Sequence, residues 1–485
     1  MPKGDAGGQG TLWQQCKRRF GITKNIEDII DDSEKAAHKL KRNLGAIDIL
    51  AIGIGAIIGA GIFVLTGVAA ALHAGPAVVL SFVVAGIACG LAALCYAEFA
   101  SMIPVAGSAY TYSYTTMGEL VAWIIGWDLI LEYAVGAIAV SVGWSGYLVE
   151  LLKAVGIHLP VALTSGPWGE PGGIINIPAI FIVLLLTTML VLGTKESAKV
   201  NLFLVSVKLA IIIFIIIVGA WYVNTKYYDP FMPFGIGGVF GGAAIVFFAY
   251  IGFDAASTTA EEAKNPQRDL PIGIIGSLVI CTVLYIAAAL LLTGLVPYKE
   301  LATSAPFAYA FSAHQMYWAT AIVSVGAIAG ITSVLLVSLL AQPRIFFSLS
   351  RDGLLPKGIS KIHPKYGTPY ISTMITGVAV AIAAGLLPIN IAAELTNIGT
   401  LFAFLLVCIG VIVLRRTRPD LERPFRVPLV PILPAIGAIF CVVLMLSLPA
   451  LTWLRFIFWL GLGIMIYANY GYKHSVAMKR QQKKA

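Results

Sequence analysis

Charge is scarce in this sequence. Only 12% of its 485 residues are charged, roughly half the share of a soluble domain. Polar linkers are missing too. No stretch between Leu44 and Tyr472 divides one soluble domain from the next, as a soluble chain of this length would require. The two shortages exclude an ordinary soluble protein. Cysteine and histidine number six each. Cys89, Cys95, Cys281, Cys408 and Cys441 fall in apolar runs and Cys16 in a polar one, none at metal-ligand spacing. Neither a disulfide nor a metal site is expected. His38, His73, His158, His314, His363 and His474 are scattered near ends and loops. No Ser–His–Asp logic emerges, so no enzyme activity and no cofactor are expected.

Hydrophobic residues, by contrast, make up 59% of the chain. They fall in apolar stretches of roughly 18 to 30 residues, each long enough to cross about 30 Å of hydrocarbon. Twelve transmembrane helices are predicted, near 46–70, 76–101, 119–152, 174–192, 200–223, 239–260, 271–295, 315–350, 370–387, 391–414, 431–447 and 452–470. The third and eighth are long and should tilt or protrude. The polar segment 1–45 lacks the pattern of a cleavable signal, and Thr11–Phe20 within it reads as a short interfacial helix.

The net charge is +9. Lys and Arg gather in the N-terminal segment, in the even-numbered loops (Lys195, Lys199, Lys264, Arg268, Arg344 to Lys365, Arg415 to Arg426) and in the tail 471–485. Lys153, Lys226, Lys299 and Arg455 fall on the other side. This asymmetry predicts a multi-pass plasma-membrane protein with both termini cytoplasmic. The basic tail then meets anionic lipid and needs no nucleic-acid partner.

Internal symmetry points to a site. Span 1 carries Gly53-Ile-Gly-Ala-Ile-Ile-Gly-Ala-Gly61, and span 6, five spans later, carries Gly241 through Gly252 to Asp254. Glycines at matching positions of two halves mark broken helices at a transport site, although Gly55-x-x-x-Gly59 is also a helix-packing motif. The halves are 46–223 and 239–414, the second inverted, with 429–470 as an appendage.

Around these residues the chain resembles the amino acid–polyamine–organocation superfamily, in particular its cationic amino acid transporter branch. The resemblance is carried by Gly55 to Gly67, by Glu98 with Pro104 to Tyr110, and by Phe247 to Asp254 with Glu261, Glu262 and Asn265 to Pro271. Arg344, Ser350 to Pro356, His363-Pro and Gly367-Thr-Pro369 complete it. It implies an all-α membrane fold of leucine-transporter type, a 5+5 inverted repeat plus two extra helices, working by alternating access. It also implies that the N–H groups around Gly59, Ala60, Gly61 and Ile62 hold a substrate carboxylate, and that the carbonyls of Ile57, Phe248 and Ile251 hold its ammonium. Some relatives have a hydroxyl where Ala60 offers only backbone. The substrate class is an L-amino acid, small and neutral or cationic. A small membrane partner subunit remains compatible with the sequence.

Single residues add to this. Phe248 reads either as a cover over the ligand or as one more packed aromatic. Lys208 lies inside span 5, where a lysine is costly and therefore a functional candidate. The resemblance places it where sodium-driven relatives hold sodium, so it reads as a proton carrier, with backbone near Gly55 and the hydroxyls of Thr332 and Ser333 as neighbours. Snorkelling to the interface is the plain alternative. Asp128 and Glu132 share one face of span 3. Glu132 either attracts a cationic side chain in the cavity or joins scaffold helices. Ser338 either leaves room for a long substrate or bonds its own helix. Asp254, Glu261 and Glu262 with Arg344 and Arg351 form either an inner gate or solvated interfacial charge. The function expected is amino acid:proton symport. An exchanger and a non-transporting sensor are the alternatives.

Overall fold

The computed structural model describes residues 44–103, 108–192, 198–356, 358–359, 361–366 and 368–479. The expected interfacial helix Thr11–Phe20, Cys16, the motif residues Pro104 to Gly107, Lys195 and the last six residues lie outside them, as do the side chains of Lys199 and Glu261.

The described residues hold no β-strand, only two isolated bridges, Leu44 to Ala263 and Thr164 to Asn176. Six helical stretches are long and apolar enough to cross a membrane: Ala46–Met102, Glu119–Ala154, Pro266–Leu295, Tyr317–Arg351, Ile389–Thr417 and Ala450–Lys479. Shorter apolar helices occupy Ile177–Val191, Val205–Ala220, Gly235–Tyr250, Tyr370–Leu386 and Ile432–Leu446. Helix is the form expected of such runs, because it satisfies every backbone group within its own segment.

The first of these stretches is interrupted. Helix α1 (Ala46–Ile57) starts where the Asp48 carboxylate accepts the Gly45 N–H at 2.9 Å. It ends at Ile58, whose backbone is extended (φ −75°, ψ 105°). The helix resumes as α2, the consecutive turns Gly61–Leu65, Thr66–Ala69 and Ala70–Ala74, the first and last of them π-helical. Then follow α3 (Val78–Met102), α4 (Ser108–Thr116), α5 (Glu119–Ala154), α6 (Ile177–Val191) and α7 (Ala198–Ala220). The second interruption follows α8 (Gly235–Val246): a 3₁₀ turn at Phe247–Tyr250, extended backbone at Ile251, and a 3₁₀ segment at Phe253–Glu262. The remainder is α9 (Pro266–Leu295), α10 (Pro306–Ala313), α11 (Tyr317–Arg351), α12 (Tyr370–Leu386), α13 (Ile389–Thr417), α14 (Ile432–Leu446) and α15 (Ala450–Ile466). The expected long third and eighth spans correspond to α5 and α11, of 36 and 35 residues.

Glycine lets the two interruptions touch. A Cβ on Gly61 would lie 2.2 Å from the Ala249 Cα, and one on Gly252 would lie 2.8 Å from the Ala56 carbonyl oxygen. Gly252 also has φ +116°, a conformation that costs glycine alone little. The ends of the two segments are joined as well: Leu44 N–H donates to Glu262 O at 3.0 Å, and Lys264 N–H to Leu44 O at 2.8 Å.

Helix α5 packs against α11 and α13, and α9 packs against α3 and α1. Trp127 of α5 stacks on Trp459 of α15 with ring centroids 4.5 Å apart. Buried Glu98 of α3 accepts from Arg415 at 3.0 and 2.6 Å and from Val427 N–H at 2.7 Å, tying the segment before α14 to the bundle. Cys89, Cys95, Cys281, Cys408 and Cys441 are buried free thiols.

Asn397 of α13 closes the account for α8. Its Nδ2 donates to the carbonyls of Ala244 at 2.7 Å and Ile245 at 3.1 Å, in the last turn of α8 before the break. Asn397→Leu keeps the branched shape and removes both bonds. Losing them should cost about 1–3 kcal/mol and lower the melting temperature in detergent by several degrees. An unchanged melting temperature would show that the break does not depend on the amide.

Candidate functional site

The cavity lies at the two interruptions. It encloses about 580 Å³ of empty space, its open mouth included. Ala56, Ile57, Gly59, Ala60 and Gly61 contribute from the first break, and Phe248, Ile251, Gly252 and Asp254 from the second. Glu132, Tyr133, Gly136 and Val140 of α5 face them, with Val334, Val337 and Ser338 of α11 and Thr396 of α13. Ile57, Gly59, Ala60, Gly61, Glu132, Phe248, Ile251 and Ser338 are thus brought together as the sequence predicts. Ile62 is buried beside them, and its carbonyl accepts the Thr66 hydroxyl at 2.7 Å.

Among the described residues the N–H groups of Gly59, Ala60 and Gly61 have no backbone acceptor. They stand at the start of α2, where free N–H groups and the positive end of the helix dipole favour an anion. The carbonyls are partly engaged. Ile57 O accepts the Tyr285 hydroxyl at 3.0 Å, and Phe248 O accepts the Ile251 N–H at 3.3 Å. A carbonyl has two lone pairs, so each keeps one for a further donor. The site can therefore meet a carboxylate and an ammonium with backbone alone.

Lys208 of α7 is 1% exposed and donates its Nζ to Gly55 O at 2.5 Å, one turn before the first break. It has not snorkelled out. Its chain lies along Gly330 of α11, where a Cβ would sit 3.3 Å from the lysine Cγ. Ser333, one turn on, donates to Gly330 O at 3.0 Å. The Thr332 hydroxyl donates to Ile328 O at 2.7 Å and accepts from Trp144 Nε1 of α5 at 2.9 Å.

Ser338 does both things that its sequence context allows: it lines the cavity and bonds Val334 O at 3.0 Å. Asp254 belongs to the cavity wall and is buried, whereas Arg344 and Arg351 are exposed. Asp128 sits one turn below Glu132, in the seam between α5 and α13, with a carboxylate oxygen 2.6 Å from the position of a Cβ on Gly399.

Toward the Ala154 end of α5, beyond the lining residues, three aromatic side chains cluster. The Phe63 ring meets Tyr147 and Phe307 edge-on at 6.1 and 6.3 Å, and the Tyr147 hydroxyl donates to Phe63 O at 2.6 Å. Sequence reasoning missed Tyr285, Tyr147 and Asn397 as backbone donors. It also missed Gly136, Val140 and Thr396 as lining. The four-residue spacing of Glu132, Gly136 and Val140 was a signal for the latter, as was an asparagine in an apolar run for Asn397.

A cavity walled by unwound backbone, inside an all-helical bundle apolar enough for a membrane, defines a membrane transporter. Residues 44–467 match the amino acid permease family model, and the chain belongs to that family, within the superfamily that its motifs resemble. It is 50% identical over 455 residues to the branched-chain amino acid permease BcaP of Bacillus subtilis (strain 168), covering 93% of this chain and 97% of that protein. It is 49% identical over 447 residues to the methylthioribose transporter of the same strain, covering 92% and 97%. It is 41% identical over 403 residues to the vacuolar cationic amino acid transporter 4 of Arabidopsis thaliana, covering 82% and 67%.

The sequence alone suggests that a side chain at position 61 would enter the ligand's space. The geometry shows an earlier obstacle, the backbone of Ala249. Gly61→Ala should therefore abolish ligand binding and lower the melting temperature, because two main chains must part. Gly59→Ala meets only the Val334 side chain, at 2.8 Å, and should be milder on both readouts. Equal effects of the two variants in a thermal-shift titration would remove the Gly61–Ala249 contact from the argument.

Proposed function

We propose that the chain is an amino acid:proton symporter of the plasma membrane that works by alternating access. Its substrate is an L-amino acid, held by the N–H groups at Gly59 to Ile62 and the carbonyls of Ile57, Phe248 and Ile251. In this reading twelve spans form a 5+5 inverted repeat (46–223 and 239–414) with two added helices (429–470), and both termini are cytoplasmic. The end of the bundle that carries Phe63, Tyr147 and Phe307 is then the outer one.

The observation that carries the reading is the bond from Lys208 to Gly55 O. A protonated lysine there ties α7 to α1 beside the break. Loss of its proton weakens that tie, since a neutral amine donates more weakly than an ammonium. Opening toward the cytoplasm admits water, lets the proton leave and frees the break to relax around the substrate. Only a difference in proton affinity between the two states can do this work. Exchange without a proton would need no such lysine.

Purified protein in liposomes should accumulate its substrate under an inward proton gradient without sodium. Lys208→Ala should abolish that accumulation and spare part of the binding. Accumulation by Lys208→Ala with a normal pH dependence would make the lysine structural. Glu132→Gln separates the two roles of the cavity carboxylate: weaker binding of arginine relative to alanine makes it a side-chain partner, and unchanged arginine binding makes it a packing group.

A further inference from the structure

Part of the cavity wall that faces the two breaks is a stripe of α5. Glu132, Gly136 and Val140 follow at four-residue intervals and all face the cavity, as helical periodicity requires. Glu132 and Val140 fill their share of the wall with side chains. Gly136 leaves a notch between them. Thr396 of α13 floors this notch: a Cβ built on Gly136 would lie 3.6 Å from the Thr396 Cγ2 and 4.0 Å from its Oγ1. The Thr396 hydroxyl donates to Ala392 O at 2.9 Å. Its hydrogen is thus committed to its own helix, and the methyl is the atom nearest the notch.

We infer that Gly136 and Thr396 set the length of side chain that the transporter accepts, the notch between α5 and α13 taking the end of an aliphatic side chain. This rests on the reading of the cavity as an amino acid site. A substrate whose carboxylate and ammonium sit on the two breaks projects its side chain away from them, toward the wall of α5, α11 and α13, in which Gly136 leaves the notch. Gly136 gives that chain about one methyl group of extra depth, and the methyl of Thr396 and Val140 beside it form an apolar end. The depth is adjustable because 3.6 Å is an ordinary van der Waals contact. A methyl on Gly136 fits without moving either helix, unlike one on Gly61.

The test uses the full-length protein in detergent or liposomes and measures dissociation constants for glycine, alanine, valine and leucine. Gly136→Ala should weaken leucine and valine by about tenfold or more relative to alanine, the range that one methylene commands in an apolar pocket, and leave glycine unchanged. Thr396→Ser deepens the notch by a methyl and should shift the leucine-to-alanine ratio the opposite way. Thr396→Val keeps the volume and should leave the ratio as in the wild type. If Gly136→Ala lowers all four affinities equally, or if Thr396→Ser leaves the ratio unchanged, the notch does not select. Should Gly136→Ala fail to fold, the threonine pair decides alone. Wild-type protein that binds no amino acid would instead overturn the proposed function, and the inference with it.

Discussion

Everything at the centre of this protein depends on the direct contact of two unwound main chains. Gly61 lies against Ala249, and Gly252 lies against Ala56. Each glycine serves the other segment's backbone as a surface without a side chain. The contact brings a helix start, with free N–H groups, beside a helix end, with free carbonyls. Neither end would be tolerated facing lipid, because unsatisfied backbone in hydrocarbon costs several kcal/mol per group. Together they border a cavity whose lining side chains are mostly apolar.

Carbonyls in and beside the two broken segments accept from side chains of other helices. Lys208 serves Gly55, Tyr285 serves Ile57, Tyr147 serves Phe63, and Asn397 serves Ala244 and Ile245. They come from α7, α9, α5 and α13, so four other helices brace the broken segments. One donor differs in kind. Tyrosine and asparagine donate as neutral groups, whereas lysine donates from an amine that can carry a charge.

The acidic side of the cavity has a related logic. Glu132 and Asp254 line it with no lysine or arginine among the lining residues described. Asp128, one turn away, is buried against Gly399 and outside the cavity. Two carboxylates that read alike in the sequence thus have different surroundings, one within reach of a ligand and one in a helix seam.

How much of this was legible follows from what is local. Glycine runs at 53–61 and 241–252, a lysine within an apolar span and the stretches of hydrophobic residues all break or obey rules that act within a few residues of chain. The helical class, the positions of the breaks and the weight of Lys208 followed from the sequence for that reason. The reason Gly61 must be glycine did not, because Ala249 is its neighbour only after folding. Nor did the donors Tyr285, Tyr147 and Asn397, each bonded to a carbonyl more than 80 residues away, nor the turning of Asp254 into the cavity wall while Arg344 stays exposed. Local pattern determined where the backbone would give way. Only the packing of distant helices decided which groups would receive it.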